Sequence, residues 1–155
     1  MSRLHKQIGL FGLLLIADQL SKWWIEQPGF SAFIVIDGFF DIVRAHNTGV
    51  AFSLFANMKQ EYILTGVTLG IAAMVSIWWW RERHSRGVEP WLLVLILAGA
   101  AGNIWDRIQH GYVVDFLDFY LRINGQDYHW PVFNVADACI SIGVVMLVIT
   151  SFKRH

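Results

Sequence analysis

Apolar residues fall into four long runs, approximately 8–25, 62–80, 91–108 and 133–152, separated by segments of mixed polarity. Each is at or near the roughly 17–25 residues that carry a helix across a bilayer. The third run is the weakest, because Asn103, Asp106 and Arg107 occupy its far end. The first lies behind Arg3 and Lys6, as a secretory signal peptide would. It lacks a small-x-small cleavage site and continues into Gln19-Leu20-Ser21-Lys22-Trp23-Trp24, so it reads as a retained helix. Between the first two runs, Phe33–Ile36, Phe39–Val43 and Val50–Phe55 are β-branched or aromatic stretches punctuated by Asp37-Gly38 and Asn47-Thr48-Gly49. That pattern predicts a small antiparallel sheet, followed by a short interfacial helix. The expected fold is one mainly α integral membrane domain over 1–155: four transmembrane helices with an extracytoplasmic β-sheet or cradle.

Composition agrees. Only 15% of the 155 residues are charged and mean hydropathy is +0.46, whereas a soluble domain carries about 25% charge. A net charge of zero implies no basic face for nucleic acid. The single Cys139 excludes an internal disulfide and a cysteine-only metal site, and its place in an apolar run suits a small core residue. Arg3, Lys6, Arg81, Arg83, Arg86, Lys153 and Arg154 all fall on one side of four spans. By the positive-inside rule both termini are cytoplasmic, and the loops 28–59 and 110–132 face outward.

Within this frame two acids stand out. Asp115 and Asp137 each sit on the shoulder of an apolar run, flanking one outer loop. An acid at membrane depth costs about 2.5–3.5 kcal/mol on insertion scales and marks a functional site by default. Asn134, after Pro131, is a plausible N-cap, with Asp137 at the third helical position on the same face. Asp137 then either complements the helix dipole or serves as a general base. Asp115 is either an exposed loop acid or, desolvated by its wholly apolar flanks, an acid of raised pKa. Asp118 and Asp127 in the same loop are rival acids that spacing does not exclude. Two carboxylates in contact share a proton, so that one activates water while the other polarises a carbonyl, without metal or nucleophilic side chain.

Other polar residues cluster around these acids in the sequence. Gly99, Asn103 and Arg107 recur at i, i+4 on the third span. Asn103 and Arg107 suit orienting a carboxylate or binding a peptide carbonyl or lipid head group, although Arg107 also suits a snorkelling interfacial anchor. Asp18 and Lys22 are i, i+4 and can form a buried ion pair that organises the bundle. Asn47 and Gly49 either make a turn or present an amide to a bound chain.

Together these segments resemble the bacterial lipoprotein signal peptidases (signal peptidase II), a family of membrane aspartic peptidases. The resemblance rests on Asp18-Gln19-Leu20-Ser21-Lys22, Asn47-Thr48-Gly49-Val50-Ala51-Phe52-Ser53, Gly99 through Arg107, Val113-Val114-Asp115-Phe116 and Phe133-Asn134-Val135-Ala136-Asp137, in that order. It implies that Asp115 and Asp137 are the catalytic pair, cutting just before a diacylglyceryl-modified cysteine. It also implies that Asn47, Gly49, Asn103, Arg107 and Asn134 line or support the site, and that Asp18 and Lys22 lie near it. Lipid-modified prolipoproteins, membrane lipids and globomycin-type inhibitors are the implied partners; no cofactor or metal is implied, and the implied location is the bacterial inner membrane. Val50 and Trp105 depart from the usual pattern without touching that chemistry. A proton-coupled transporter would distribute its acids through the membrane depth, whereas Asp115 and Asp137 cluster near one face and only Asp18 fits a relay. A metal-dependent phosphatase or lipid transferase would need ligand sets that the six scattered histidines do not supply.

Overall fold

The computed structural model describes residues 2–49 and 60–153. Its elements run α1 (Arg3–Ile25), β1 (Phe33–Ile36), β2 (Phe40–Asn47), α2 (Gln60–Glu82), α3 (Glu89–His110), β3 (Val113–Ile123), β4 (Gln126–His129) and α4 (Val135–Phe152). Among the described residues, four helices are long and apolar enough to cross a membrane. The expected short interfacial helix and the stretch Val50–Phe55 lie outside the described residues.

The helices assemble around α3, which packs against α1, α2 and α4 and contributes most of the buried residues. Large apolar side chains such as Ile16, Val67, Met74 and Val145 point outward from the other three. That inversion of soluble packing suits hydrocarbon as the surrounding solvent. The ends nearest the basic segments are tied together. Arg3 donates to the Gly87 carbonyl at 3.2 Å, and the buried Gln7 amide donates to the Arg83 carbonyl while accepting from Trp79 Nε1.

At the opposite end stands a four-stranded antiparallel sheet in the order β1-β2-β3-β4. The sequence pattern assigned the sheet to 28–59 alone. Half of it in fact comes from the loop 110–132: β2 pairs with β3 through Phe40↔Phe119, Ile42↔Leu117, Ala45↔Asp115 and Asn47↔Val113. Asn124 and Gly125 both adopt positive φ, the conformation a tight hairpin turn demands, and fold β4 back onto β3. Buried Ile25, Val114 and Phe116 form the sheet's own small core, against which Phe30, Tyr112 and Val135 pack. Gly111 ends α3 in the left-handed conformation (φ 79°) and turns the chain directly into β3. Asp115 therefore projects from a strand that leaves α3 directly.

Candidate active site

Local chemistry fixes Asp137. Asn134 caps α4: its Oδ1 accepts from the Asp137 backbone N–H at 2.9 Å, and Asp137 Oδ2 accepts from the Asn134 N–H at 3.3 Å. This reciprocal capping box is the helix-start reading of the sequence. The same Asn134 amide does a second job. With its oxygen committed to the cap, its Nδ2 donates to Asp115 Oδ1 at 2.7 Å. One buried residue thus joins the two carboxylates across the junction of helix and sheet, its side-chain nitrogen on Asp115 and its backbone N–H on Asp137. Asp115 Oδ2 accepts from Asn47 Nδ2 at 3.0 Å, so β2 braces the acid that β3 carries.

Asp115 is 2% exposed, which overturns the exposed-loop reading. Burial pushes its carboxyl up from the usual 3.8 to about 6, opposed by the Asn47 hydrogen bond and reinforced by the Asp137 charge. Asp137 is only partly buried. The pair is therefore asymmetric, with one acid sealed in and the other open to the outside.

Behind the acids lies a buried polar cluster. Lys22 Nζ sits 2.9 Å from Asp18 Oδ2, 2.9 Å from Asp106 Oδ2 and 3.0 Å from Asn103 Oδ1. Because the ammonium holds the Asn103 oxygen, the Asn103 Nδ2 faces Asp137 Oδ1 and donates at 2.7 Å. Asp18 Oδ1 in turn accepts from the Ala136 N–H in the first turn of α4, and Asp106 Oδ2 from the Val114 N–H at the start of β3. The cluster thus pins the segments that carry both acids. Gly102 makes room for it: a Cβ there would lie 2.4 Å from Asp18 Oδ2.

Two members of this cluster escaped the sequence reading. Asp106 was noted only as a neighbour of Arg107, yet it is the second counter-charge of Lys22. Gln19, whose Nε2 donates to Asp18 Oδ2 at 3.1 Å and Asp106 Oδ1 at 3.0 Å, stands in the sequence only as part of the Asp18–Lys22 motif, with no role of its own. The i, i+4 pairing of Asp18 and Lys22 leaves no trace of a third partner 84 residues away on another helix.

The remaining candidates separate clearly. Asn47 makes the turn, its Oδ1 accepting from the Gly49 N–H at 2.9 Å, and also reaches Asp115; Gly49 (φ 80°) contributes the turn. Arg107 lies in the last turn of α3, and its guanidinium makes no hydrogen bond or ion pair among the described residues, so it is not part of the Asp115–Asp137 network. Rival Asp118 points to the opposite face of β3 and pairs with His129, and Asp127 is ion-paired with Arg122 at the hairpin. Those pairings raise His129 and lower Asp127 from their ordinary values. Cys139 is a buried core residue. Among the described residues, no group of three or more His, Cys, Asp or Glu is placed to hold a metal ion.

Apolar spanning helices with two linked carboxylates at one end are an arrangement that suits an integral membrane hydrolase of the aspartic peptidase class. The family model for signal peptidase (SPase) II matches residues 10–153. A lipoprotein signal peptidase of Ralstonia nicotianae is 44% identical over 151 residues, covering 95% of this chain and 84% of that protein. One from Alteromonas mediterranea is 38% identical, covering 99% and 87%. A bacterial membrane enzyme solved by the in meso method at 2.3 Å resolution superimposes with a TM-score of 0.79 at 28% identity, covering 96% of this chain and 88% of that one. The chain belongs to the signal peptidase II family.

Proposed function

We propose that Asp115 and Asp137 are the catalytic pair with which this signal peptidase II removes signal peptides from prolipoproteins, cutting immediately before a diacylglyceryl-modified cysteine. The observation that carries this is the Asn134 amide, which caps Asp137 and hydrogen-bonds Asp115 at once. In this reading Asp115, raised to about 6, holds the proton that the pair shares. Asp137, at the positive end of the α4 dipole, draws the proton from a water molecule that attacks the scissile carbonyl. The tetrahedral intermediate collapses without a covalent acyl-enzyme. Asn47, Asn103, Asn134, Asp18 and Lys22 position the acids. Arg107, whose guanidinium is uncommitted among the described residues, serves the substrate's carbonyl groups or a lipid head group, and Gly49 shapes the rim.

The distribution of basic residues supports an inner-membrane location with both termini cytoplasmic and the site at the outer face, worked by the chain as one domain. A lipidated substrate then reaches the site laterally from the bilayer, and globomycin-type cyclic peptides occupy the same place. The test is cleavage of a diacylglyceryl-modified prolipoprotein by the purified protein with a chelator present, beside Asp115→Asn and Asp137→Asn. Cleavage by the wild type, with both variants folded but inactive, is expected. Near wild-type activity in either variant would remove that aspartate from the mechanism.

A further inference from the structure

Beyond the acids, the sheet carries a feature that proteolysis at the pair does not use. Cross-strand pairing puts Leu117, Phe119 and Leu121 on the same face of β3 as Asp115, with Phe40 stacked on Phe119 at 4.4 Å and Phe133 at 5.7 Å. The strip ends in a groove of about 450 Å³ lined mainly by Phe39, Phe119, Leu121, Tyr128 and Trp130, with Tyr120 and His129 at its side, within the roughly 300–1,000 Å³ of ligand clefts. Trp130 is 70% exposed, Leu121 56% and Tyr128 55%, a heavy apolar cost unless something covers them.

We propose that this groove is a binding subsite for the exported part of the substrate, taking apolar or aromatic side chains at about the fourth to sixth residues after the scissile bond. The inference rests on Asp115 belonging to the cleavage site. A strand rises about 3.3 Å per residue, so Phe119 and Leu121 lie roughly 13 and 20 Å along β3 from Asp115. An extended substrate lying over this face of β3 advances at the same rate, which sets the positions named. The signal sequence itself is apolar and remains among the helices, so the chain that leaves over the sheet is the other product.

A peptide suits the groove better than lipid for two reasons. β4 is the edge of the sheet, and its outward N–H and C=O groups have no strand beside them among the described residues. Hydrocarbon would leave those groups unsatisfied, whereas an extended peptide pairs with them. The strand ends there also carry exposed ion pairs, Arg122 with Asp37 and Asp127, which belong in water.

The experiment compares two lipidated peptides, identical through the third residue after the cut and bearing either aromatic and leucyl residues or Gly-Ser at the fourth to sixth. A third peptide, ending soon after the lipidated cysteine, is the control. For the wild type, kcat/KM for the aromatic peptide should exceed the Gly-Ser value about three- to tenfold, the yield of one or two aromatic contacts, chiefly through KM. Trp130→Ala and Leu121→Ala should bring the ratio to about one while leaving the Gly-Ser and short peptides unchanged. A wild-type ratio of one overturns the proposal. So does an equal loss on all three peptides accompanied by weaker association with phospholipid vesicles, which would make the groove a lipid contact. Failure to cleave even the short peptide would instead strike the reading of the catalytic pair.

Discussion

Replacing Asp115 with asparagine removes a proposed catalytic group, yet it should stabilise the folded protein at neutral pH. The buried carboxyl is raised from 3.8 to about 6, a gap of about two units, so ionising it in place costs about 3 kcal/mol. Below about pH 4 the folded and unfolded chains both hold the proton and nothing is lost. As pH rises through about 6 the folded carboxyl must give it up, and the full cost is present near pH 7.5. Asparagine stays neutral throughout. It forfeits one of the hydrogen bonds that Asn47 and Asn134 supply, because its own nitrogen turns a donor toward a donor, at about 1 kcal/mol. The net expectation is a gain of about 2 kcal/mol near pH 7.5 and a loss of about 1 kcal/mol near pH 4. At roughly 2–4 °C per kcal/mol for a chain of this size, Tm rises by about 4–8 °C at the higher pH. Thermal unfolding in detergent, followed by tryptophan fluorescence, reads the shift. A variant destabilised equally at both pH values would refute the reasoning, since Asp115 would then be held in place for structure.

Lys22→Met strands two buried carboxylates, Asp18 and Asp106, and should cost about 3–5 kcal/mol; an unchanged Tm would mean that the cluster is solvated. Gly102→Ala drives a methyl to 2.4 Å from Asp18 Oδ2, an atom held by Lys22, and should cost about 1–3 kcal/mol in the same assay. An unaltered Tm there would show slack between α1 and α3. One limb of the pH profile of kcat/KM should report Asp115 near pH 6 in the free enzyme. Asn47→Ala removes a hydrogen bond that favours the ionised form and should move that limb upward by about one unit. A limb that stays in place would dissociate it from Asp115.

What the sequence reveals here is what is encoded locally. The spans are legible because each is a continuous apolar run. Asn134 capping Asp137, and Asp18 beside Lys22, are contacts three and four residues apart, and helical geometry alone supplies them. The apolar flanks of Asp115 foretell its desolvation because β3 is buried on both sides there. The sheet was half missed for the opposite reason. Pairing Phe40 with Phe119 joins segments nearly eighty residues apart, and no periodicity in either announces the partner. The Asn124-Gly125 hairpin signal was present, but it specifies only the local β3–β4 turn. Asp106 and Gln19 likewise acquire their roles only when α1 and α3 meet. Asn47 proved to be both of the things its sequence allowed, a turn and a site residue, although its amide faces Asp115 rather than a bound chain.

The central claim is that Asp115 and Asp137 act as one unit, and a double-mutant cycle on cleavage tests it most directly. Asp115→Asn, Asp137→Asn and the double variant are compared in single-turnover cleavage of a lipidated prolipoprotein. Each single change should lower the rate at least about a thousandfold, and the double should be no slower than the slower single, because half a pair is as inert as none. Losses that multiply in the double variant, or either single variant retaining near wild-type rate, would contradict the account.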